Sequence, residues 1–296
     1  MKDGYTSVNA EYLDHESDLM VPTDASFTRP RRFTAGPEHP MPDVFDHTLY
    51  PEISKSSNLS SPRGITADLW ELLSEQAPGP DQDIMAIGAV SDVSRAFDLL
   101  RTRLRQTSKQ HGWTNIGIVS PTHGCGTTFT AANLAASLSR VPASRTVLMD
   151  FNLRLPGIAQ AFDMDAGPPN DLSDFLAGDL VTGAYMVRAN DTLAMGLSAV
   201  STHAASEIMQ DPATAISLAR MRAALRPDMV LYDLPPMLSY DDTSAFLPQL
   251  DGVLLVSDGT RTTAKHLAEC ERILQDQAPL LGVILNRARN SSIARF

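Results

Sequence analysis

Gly124 and Gly126 stand in SPTHGCGTTFTAANLAASL, directly after a short apolar run and directly before an alanine- and leucine-rich run of helical character. Glycines there let backbone N–H groups turn inward with no Cβ in the way, and the helix start adds its unpaired N–H groups and dipole. Strand, glycine loop and helix in that order form a cradle for a phosphate. Asp150 ends the apolar run TVLMD, and Asp233 ends MVLYD. A carboxylate beside such a cradle can hold a magnesium-bound water or activate a nucleophile. Taken singly, each feature has a plainer reading: a glycine turn without a ligand, or an aspartate that opens a turn. Three of them on neighbouring strands of one sheet reinforce one another.

The phosphate-loop consensus G-x-x-x-x-G-K-[S/T] is met only in part. Gly126 and Thr128 stand at its last glycine and its Ser/Thr, whereas Pro121 stands at the first glycine and Thr127 at the lysine. Anion-binding geometry survives these changes, since it is made of amides; charge compensation does not.

The elements that must position these residues follow one alternation. Apolar runs predict strands over residues 116–120, 146–150, 193–197, 229–233, 252–257 and 281–285. Helices are predicted between them over 128–140, 172–177, 206–225, 242–247 and 263–277. Ahead of the sheet, residues 91–112 carry Val93, Phe97, Leu100 and Leu104 on one face of an amphipathic helix. Strands apolar on both faces, alternating with helices, make a mostly parallel sheet covered on both sides, a three-layer α/β domain over residues 86–296. Ligands of such sheets sit at the carboxyl ends of the strands.

The first 85 residues differ in kind. They hold nine of the 20 prolines and 15 acidic against 6 basic side chains, so most of the net charge of −11 lies there. Such sequence cannot bury enough apolar surface to offset chain entropy and reads as a mostly disordered acidic arm. Its exception is ITADLWELLSEQ at 65–76, with Ile65, Leu69, Trp70, Leu72 and Leu73 at helical spacing and Thr66 or Ser61 as cap. This is a short helix packed on the body or a docking helix for a partner. The acidic balance argues against nucleic acid and against a polybasic membrane anchor. With only Cys125 and Cys270, a disulfide framework is excluded and a reducing cytoplasm is the simplest setting. No run reads as a spanning helix and the N-terminus has no apolar signal core, so membrane contact would pass through a partner or a weak surface interaction.

These motifs, in this order, resemble those of the bacterial tyrosine kinases (BY-kinases). That family belongs to the ParA/MinD-like P-loop group and is often tied to capsule or exopolysaccharide biosynthesis (CpsD/CapB-type). SPTHGCGTTFTAANLA is similar to SPxPGEGKSTxxANLA, VLMDFNLRLP to the Walker A′ segment VLLIDADLRRP, and DMVLYDLPPML to the Walker B segment DxVIIDTPP. DLSDFLAGD resembles the GLSDYLxG turn, LDGVLLVSDGTRTT the DGVLLVVRxGxT strand and LLGVILNRAR the GVVLN strand; the likeness covers residues 91–290. It implies a P-loop NTPase-like fold with ATP and Mg²⁺ as cofactors. It implies a nucleotide loop of Gly124, Cys125, Gly126, Thr127, Thr128 and Phe129, with Asn286 near the base. Thr128, Asp150 and Asp233 would serve the metal, and Asp150 would be the catalytic carboxylate near the attacking hydroxyl.

The chain departs from the family pattern where the chemistry is concentrated. Thr127 replaces the loop lysine, Cys125 the usual glutamate, Phe129 the second Ser/Thr and Asn152 the second Walker A′ aspartate. A hydrogen bond to a charged group contributes roughly 1.5–3 kcal/mol, and the same cation matters more at the transition state. Nucleotide binding should therefore be weakened and transfer weakened further, with Arg154 as a nucleotide-site residue returning part of the charge. The family's E-x-x-R-x-x-R of subunit contacts reads Arg95, Asp98, Arg101 here. An Arg95/Asp98 pair bridges subunits of a homo-oligomer with reversed polarity, or is a surface i,i+3 pair. No tyrosine cluster ends the chain; Tyr5, Tyr12 and Tyr50 fall in the arm. Cys125 reads as a space-filling residue or a redox-sensitive thiol, His203 and His266 lack ligand spacing, and the RPRR run at 29–32 is too short for nucleic acid.

Three functions follow. One is a degenerate kinase-like component of capsular or exopolysaccharide biosynthesis and export, cytoplasmic and docked on a membrane polysaccharide co-polymerase or chain-length regulator. Another is an active ATP-dependent protein tyrosine kinase or ATPase with an unorthodox loop. The third is a ParA/MinD-like positioning ATPase.

Overall fold

Eight strands form one sheet: β1 (Ser74–Glu75), β2 (Asn115–Val119), β3 (Thr146–Asp150), β4 (Val187–Asn190), β5 (Leu193–Gly196), β6 (Met229–Asp233), β7 (Gly252–Asp258) and β8 (Leu280–Asn286). Their order is β1-β4-β5-β3-β6-β2-β7-β8. Every neighbouring pair is parallel except β4 and β5. The structure is a computed structural model and describes residues 68–79, 92–166 and 172–288. The arm up to residue 67 with Tyr5, Tyr12, Tyr50, Ser61 and Thr66, the RPRR run and the tail after residue 288 lie outside the described residues.

The strands alternate between two apolar faces, and each face has its own helices. Ile116, Ile118, Leu148 and Leu231 pack with α2 (Asp92–His111), α3 (Thr127–Ser139) and α4 (Ile158–Ala161). Val119, Val147, Val230 and Tyr232 pack with α5 (Leu172–Ala177), α7 (Ala205–Gln210), α8 (Pro212–Leu225), α9 (Asp242–Phe246) and α10 (Ala264–Leu274). The result is the three-layer, mostly parallel α/β arrangement expected of strands that are apolar on both sides. The remaining short helices are α1 (Leu69–Leu72) and α6 (Thr182–Tyr185).

Several elements correct the sequence reading. The strands β1 and β4 escape a search for apolar runs because both are short, β1 is exposed and β4 is only partly buried. The single helix predicted over 206–225 is two, because Asp211 is extended and caps α8 through the Ala213 N–H, with Pro212 as the first helical residue. The helix predicted near 65–76 is the single turn α1, capped by Asp68, and it packs on the body. Trp70 is fully buried there, its Nε1 donates to the Asp191 carbonyl at 3.0 Å and the Arg145 guanidinium lies over its ring at 5.0 Å. Residues 68–79 are thus built into the domain, with β1 running parallel to β4, and the boundary expected at 85/86 does not mark its start.

Candidate nucleotide site

The central strands β3, β6 and β2 bring the sequence-singled residues to one end of the sheet. Residue by residue, Asp150 is the register partner of Asp233, so both carboxylates leave the sheet side by side next to the loop that follows β2. That loop enters α3 through Gly126, whose φ of 93° is left-handed. A Cβ on Gly126 would also meet Asn286 Nδ2 at 2.2 Å, so both backbone and space demand glycine. Helix α3 is buried from Thr130 to Leu138, which fixes its start, and with it the direction of its free N–H groups.

The loop borders a cavity of about 490 Å³ whose wall includes His123, Gly124, Gly126, Thr127, Thr128 and Phe129 on one side and Asn152, Pro156 and Gly157 on the other. Thr128 Oγ1 donates to Asp233 Oδ2 at 2.6 Å. Asp150 Oδ2 accepts the N–H groups of Gly157 and Ile158, both at 2.9 Å. The other oxygen of each carboxylate, Asp150 Oδ1 and Asp233 Oδ1, is buried and has no hydrogen-bond partner among the described residues. Burial pushes the Asp150 carboxyl up to about 7, against the pull of backbone N–H groups. Asp233 is pushed well above the carboxylate range by burial first and by the neighbouring Asp150 second. Two adjacent, fully buried carboxylates with one open oxygen each, beside a threonine hydroxyl, are the hard-oxygen donor set that suits Mg²⁺.

The cation side of the site is bare by comparison. The Thr127 hydroxyl is turned back into the loop, donating to Ser120 Oγ at 2.9 Å, and Ser120 donates on to the Thr122 carbonyl. Arg154, expected to return charge to the nucleotide, is not brought to the cavity wall. Its Nε and Nη2 grip Asp242 at 2.7 and 2.9 Å, and its guanidinium lies over the Tyr240 ring at 4.5 Å. Asp242 is fully buried, so releasing Arg154 would leave a buried carboxylate without its partner. Cys125 is buried with its Sγ between the hydroxyls of Thr122 and Thr262, away from the cavity. Asn286 braces the loop from behind: its Nδ2 donates to the Cys125 carbonyl at 2.9 Å. It faces a second, apolar groove of about 600 Å³ shared with Phe97, Leu100 and Ile284, and Phe129 borders both spaces. The Arg95/Asp98 pair does not form, since Arg95 turns to Asp92 while Asp98 binds Arg101, Arg140 and Ser137.

Sequence reasoning singled out Asn152 but missed the rest of the far wall, Leu155, Pro156 and Gly157. The wall hangs on α4, four residues long, which is too short for a periodic signal. Gly157 is its one legible mark: a Cβ there would come within 3.2 Å of Thr128.

No family model matches the chain. Among curated proteins it is 32% identical over 192 residues to a putative tyrosine-protein kinase EpsB of Ralstonia nicotianae, covering 63% of this chain and 24% of that protein. It is 29% identical over 188 residues to the succinoglycan biosynthesis transport protein ExoP of Rhizobium meliloti, covering 61% of this chain and 23% of that one. The chain thus spans about a quarter of the length of these relatives. Its fold matches the kinase domain of the Escherichia coli tyrosine kinase ETK with a TM-score of 0.59 at 23% identity, over 67% of this chain and 77% of that one. Motif order, relatives and fold agree: the chain is similar to bacterial tyrosine kinases and shares the P-loop fold of their kinase domains, with threonine at the loop-lysine position.

Proposed function

We propose that this chain is a Mg²⁺- and ATP-binding, kinase-like component of exopolysaccharide biosynthesis and export, in which nucleotide occupancy, more than phosphoryl transfer, is the working output. One observation carries the reading. The acid half of the site is intact and poised, with Asp150 and Asp233 each presenting an open buried oxygen, whereas Thr127 spends its hydroxyl on Ser120.

In this reading, the amides from Gly124 to Thr128 receive the phosphates, and Thr128, Asp233 and Asp150 hold the metal. Bound Mg²⁺ supplies positive charge to the phosphate oxygens. Asn286 fixes the loop, and Phe129 separates the phosphate cavity from the apolar groove behind it. Without the loop lysine, the charge that develops on transfer is met less well than the charge already present on bound ATP. Among the described residues no helix is long and apolar enough to cross a membrane. The relatives named EpsB and ExoP are far longer than the matched region. The body on which this domain acts, in this reading, is a membrane polysaccharide co-polymerase or chain-length regulator, a proposal supported by the printed names of those relatives.

Calorimetric titration of the full chain with ATP and Mg²⁺, beside a phosphate-release assay, tests the reading. Binding with little turnover is the expected result, and loss of binding in Asp150→Ala should follow. Absence of ATP binding in the wild type overturns it. Efficient turnover would instead support the second reading, an active kinase or ATPase. The observation behind that alternative is Asp150 Oδ1, an oxygen without a hydrogen-bond partner among the described residues, on the carboxylate that the family resemblance puts near the attacking hydroxyl.

A further inference from the structure

Around the phosphate loop, two nearby arginines are already committed. Arg154 is closed on Asp242. Arg287 bridges the Asp258 carboxylate at 2.7 Å and the Gly124 carbonyl at 2.8 Å. Arg261 is different. It is exposed, and among the described residues its side chain has no hydrogen-bond or ion-pair partner. Its Nη1 lies 3.5 Å from the point a Cβ would occupy on Gly124, so its head already touches the rim of the cavity that Gly124 lines.

The backbone beneath Arg261 is fixed. The N–H groups of Arg261 and Thr262 donate to the Asp258 carbonyl at 3.1 and 2.9 Å. The Thr262 hydroxyl accepts the Asp258 N–H at 2.8 Å. The side chain therefore starts from a rigid turn after β7 and ends in a guanidinium that gives up no partner when it moves. An arginine fork suits two oxygens of a polyphosphate, and at an exposed rim it loses little hydration before it binds.

We propose that Arg261 is the cation that closes on the polyphosphate of a nucleotide seated in the Gly124–Thr128 loop, filling the charge role that Thr127 leaves open. The assignment rests on the nucleotide-binding reading above and adds to it a binding residue and a preference for di- and triphosphates over a monophosphate. Arg261 approaches from the rim at Gly124, not from the start of α3, where the family lysine stands. It therefore holds bound nucleotide without standing at the family's transfer position, which agrees with binding outlasting transfer.

The test is calorimetric binding of ATP, ADP and AMP, each with Mg²⁺, to the full chain as wild type, Arg261→Ala, Arg261→Lys and Arg261→Ala combined with Thr127→Lys. Arg261→Ala should weaken ATP and ADP about tenfold or more and AMP less than about twofold. Arg261→Lys should recover part of the loss, and Thr127→Lys should recover most of it in the alanine background. The melting temperature of Arg261→Ala should match the wild type. If the wild type binds ATP and Arg261→Ala binds it equally well, the assignment falls and the nucleotide reading stands. An equal loss for ATP and AMP also ends the assignment, because it marks a change in the loop and not in charge. If the wild type binds none of the three nucleotides, both fall together.

Discussion

Two sets of buried aspartates end strands of this sheet, and they are held in opposite ways. At the end of β7, Asp258 is closed: Oδ1 accepts the Thr260 N–H at 2.7 Å and the Thr260 hydroxyl at 2.6 Å, and Oδ2 takes Arg287 at 2.7 Å. At the ends of β3 and β6, Asp150 and Asp233 each keep an oxygen with no partner among the described residues. None of the three has exposed surface. Yet the bonds from Thr260, helped by Arg287, hold Asp258 down to about 2, while burial lifts Asp150 to about 7 and raises Asp233 as well. Partners, not depth alone, decide whether a buried carboxylate is charged. A sheet that needed only turns could close all three as it closes Asp258, because an unpaired buried oxygen costs free energy. The open pair is where the proposed Mg²⁺ would complete the structure.

Neutralising the open pair should have the largest effect. Asp233→Asn keeps an acceptor for Thr128 and removes a charge that burial disfavours. In EDTA at pH 8, urea unfolding should find it more stable than the wild type. The folded carboxyl binds its proton more tightly than the unfolded one. Its stabilising contribution is thus fully present below the unfolded value of about 4 and is lost as pH rises through the raised folded value. The advantage of Asn should accordingly vanish near pH 4. Mg²⁺ should raise the melting temperature of the wild type and leave that of Asp233→Asn unmoved. A variant less stable than the wild type at pH 8 would break the contrast between open and closed acids.

Supplying the missing cation should come next. Thr127→Lys should tighten ATP binding about tenfold, close to 1.4 kcal/mol, with the comparison made calorimetrically at one salt concentration. Unchanged affinity in a wild type that already binds ATP tightly would mean that the loop lacks no charge.

The closed acid should respond in the opposite sense. Its folded pKa lies below the unfolded value, so its contribution is present above about 4 and is lost as pH falls toward about 2. Asp258→Asn should lower the melting temperature at pH 7 by about 2–4 °C and converge on the wild type under acid. Mg²⁺ should shift this variant as it shifts the wild type, since Asp258 does not belong to the proposed metal set.

Open and closed aspartates look alike in the sequence, and that sets what could be read there. Asp150, Asp233 and Asp258 all end apolar runs, and periodicity placed these strands within a residue or two because buried parallel strands are apolar on both faces. The glycine loop and the start of α3 were equally legible, since Gly126 answers a backbone demand that is local. Partnership was not. That Arg154 belongs to Asp242, 88 residues away, or Arg287 to Asp258, 29 residues away, is a property of the assembled sheet. The motif position of Arg154 points to the nucleotide, whereas in the assembled sheet its guanidinium is held by the buried Asp242. Asp68 as the cap of α1 and the antiparallel turn from β4 to β5 were hidden for another reason: elements of two to four residues carry too little pattern to stand out.

The exposed face of α2 sharpens the contrast at its weakest end. Asp98 accepts Ser137 Oγ at 2.7 Å and binds Arg101 and Arg140, tying α2 to α3. Arg95 and Asp92 form a pair whose side chains are 66% and 96% exposed. Asp98→Ala should cost about 1 kcal/mol through the lost hydrogen bonds. Arg95→Ala should change stability by less than about 0.5 kcal/mol, because solvent screens an exposed pair. Sedimentation of Arg95→Ala beside the wild type adds a second readout. A shift in oligomeric state at unchanged stability would return Arg95 to the subunit contacts that the family's helix motif implies, and would show that its pairing with Asp92 belongs to the isolated chain alone.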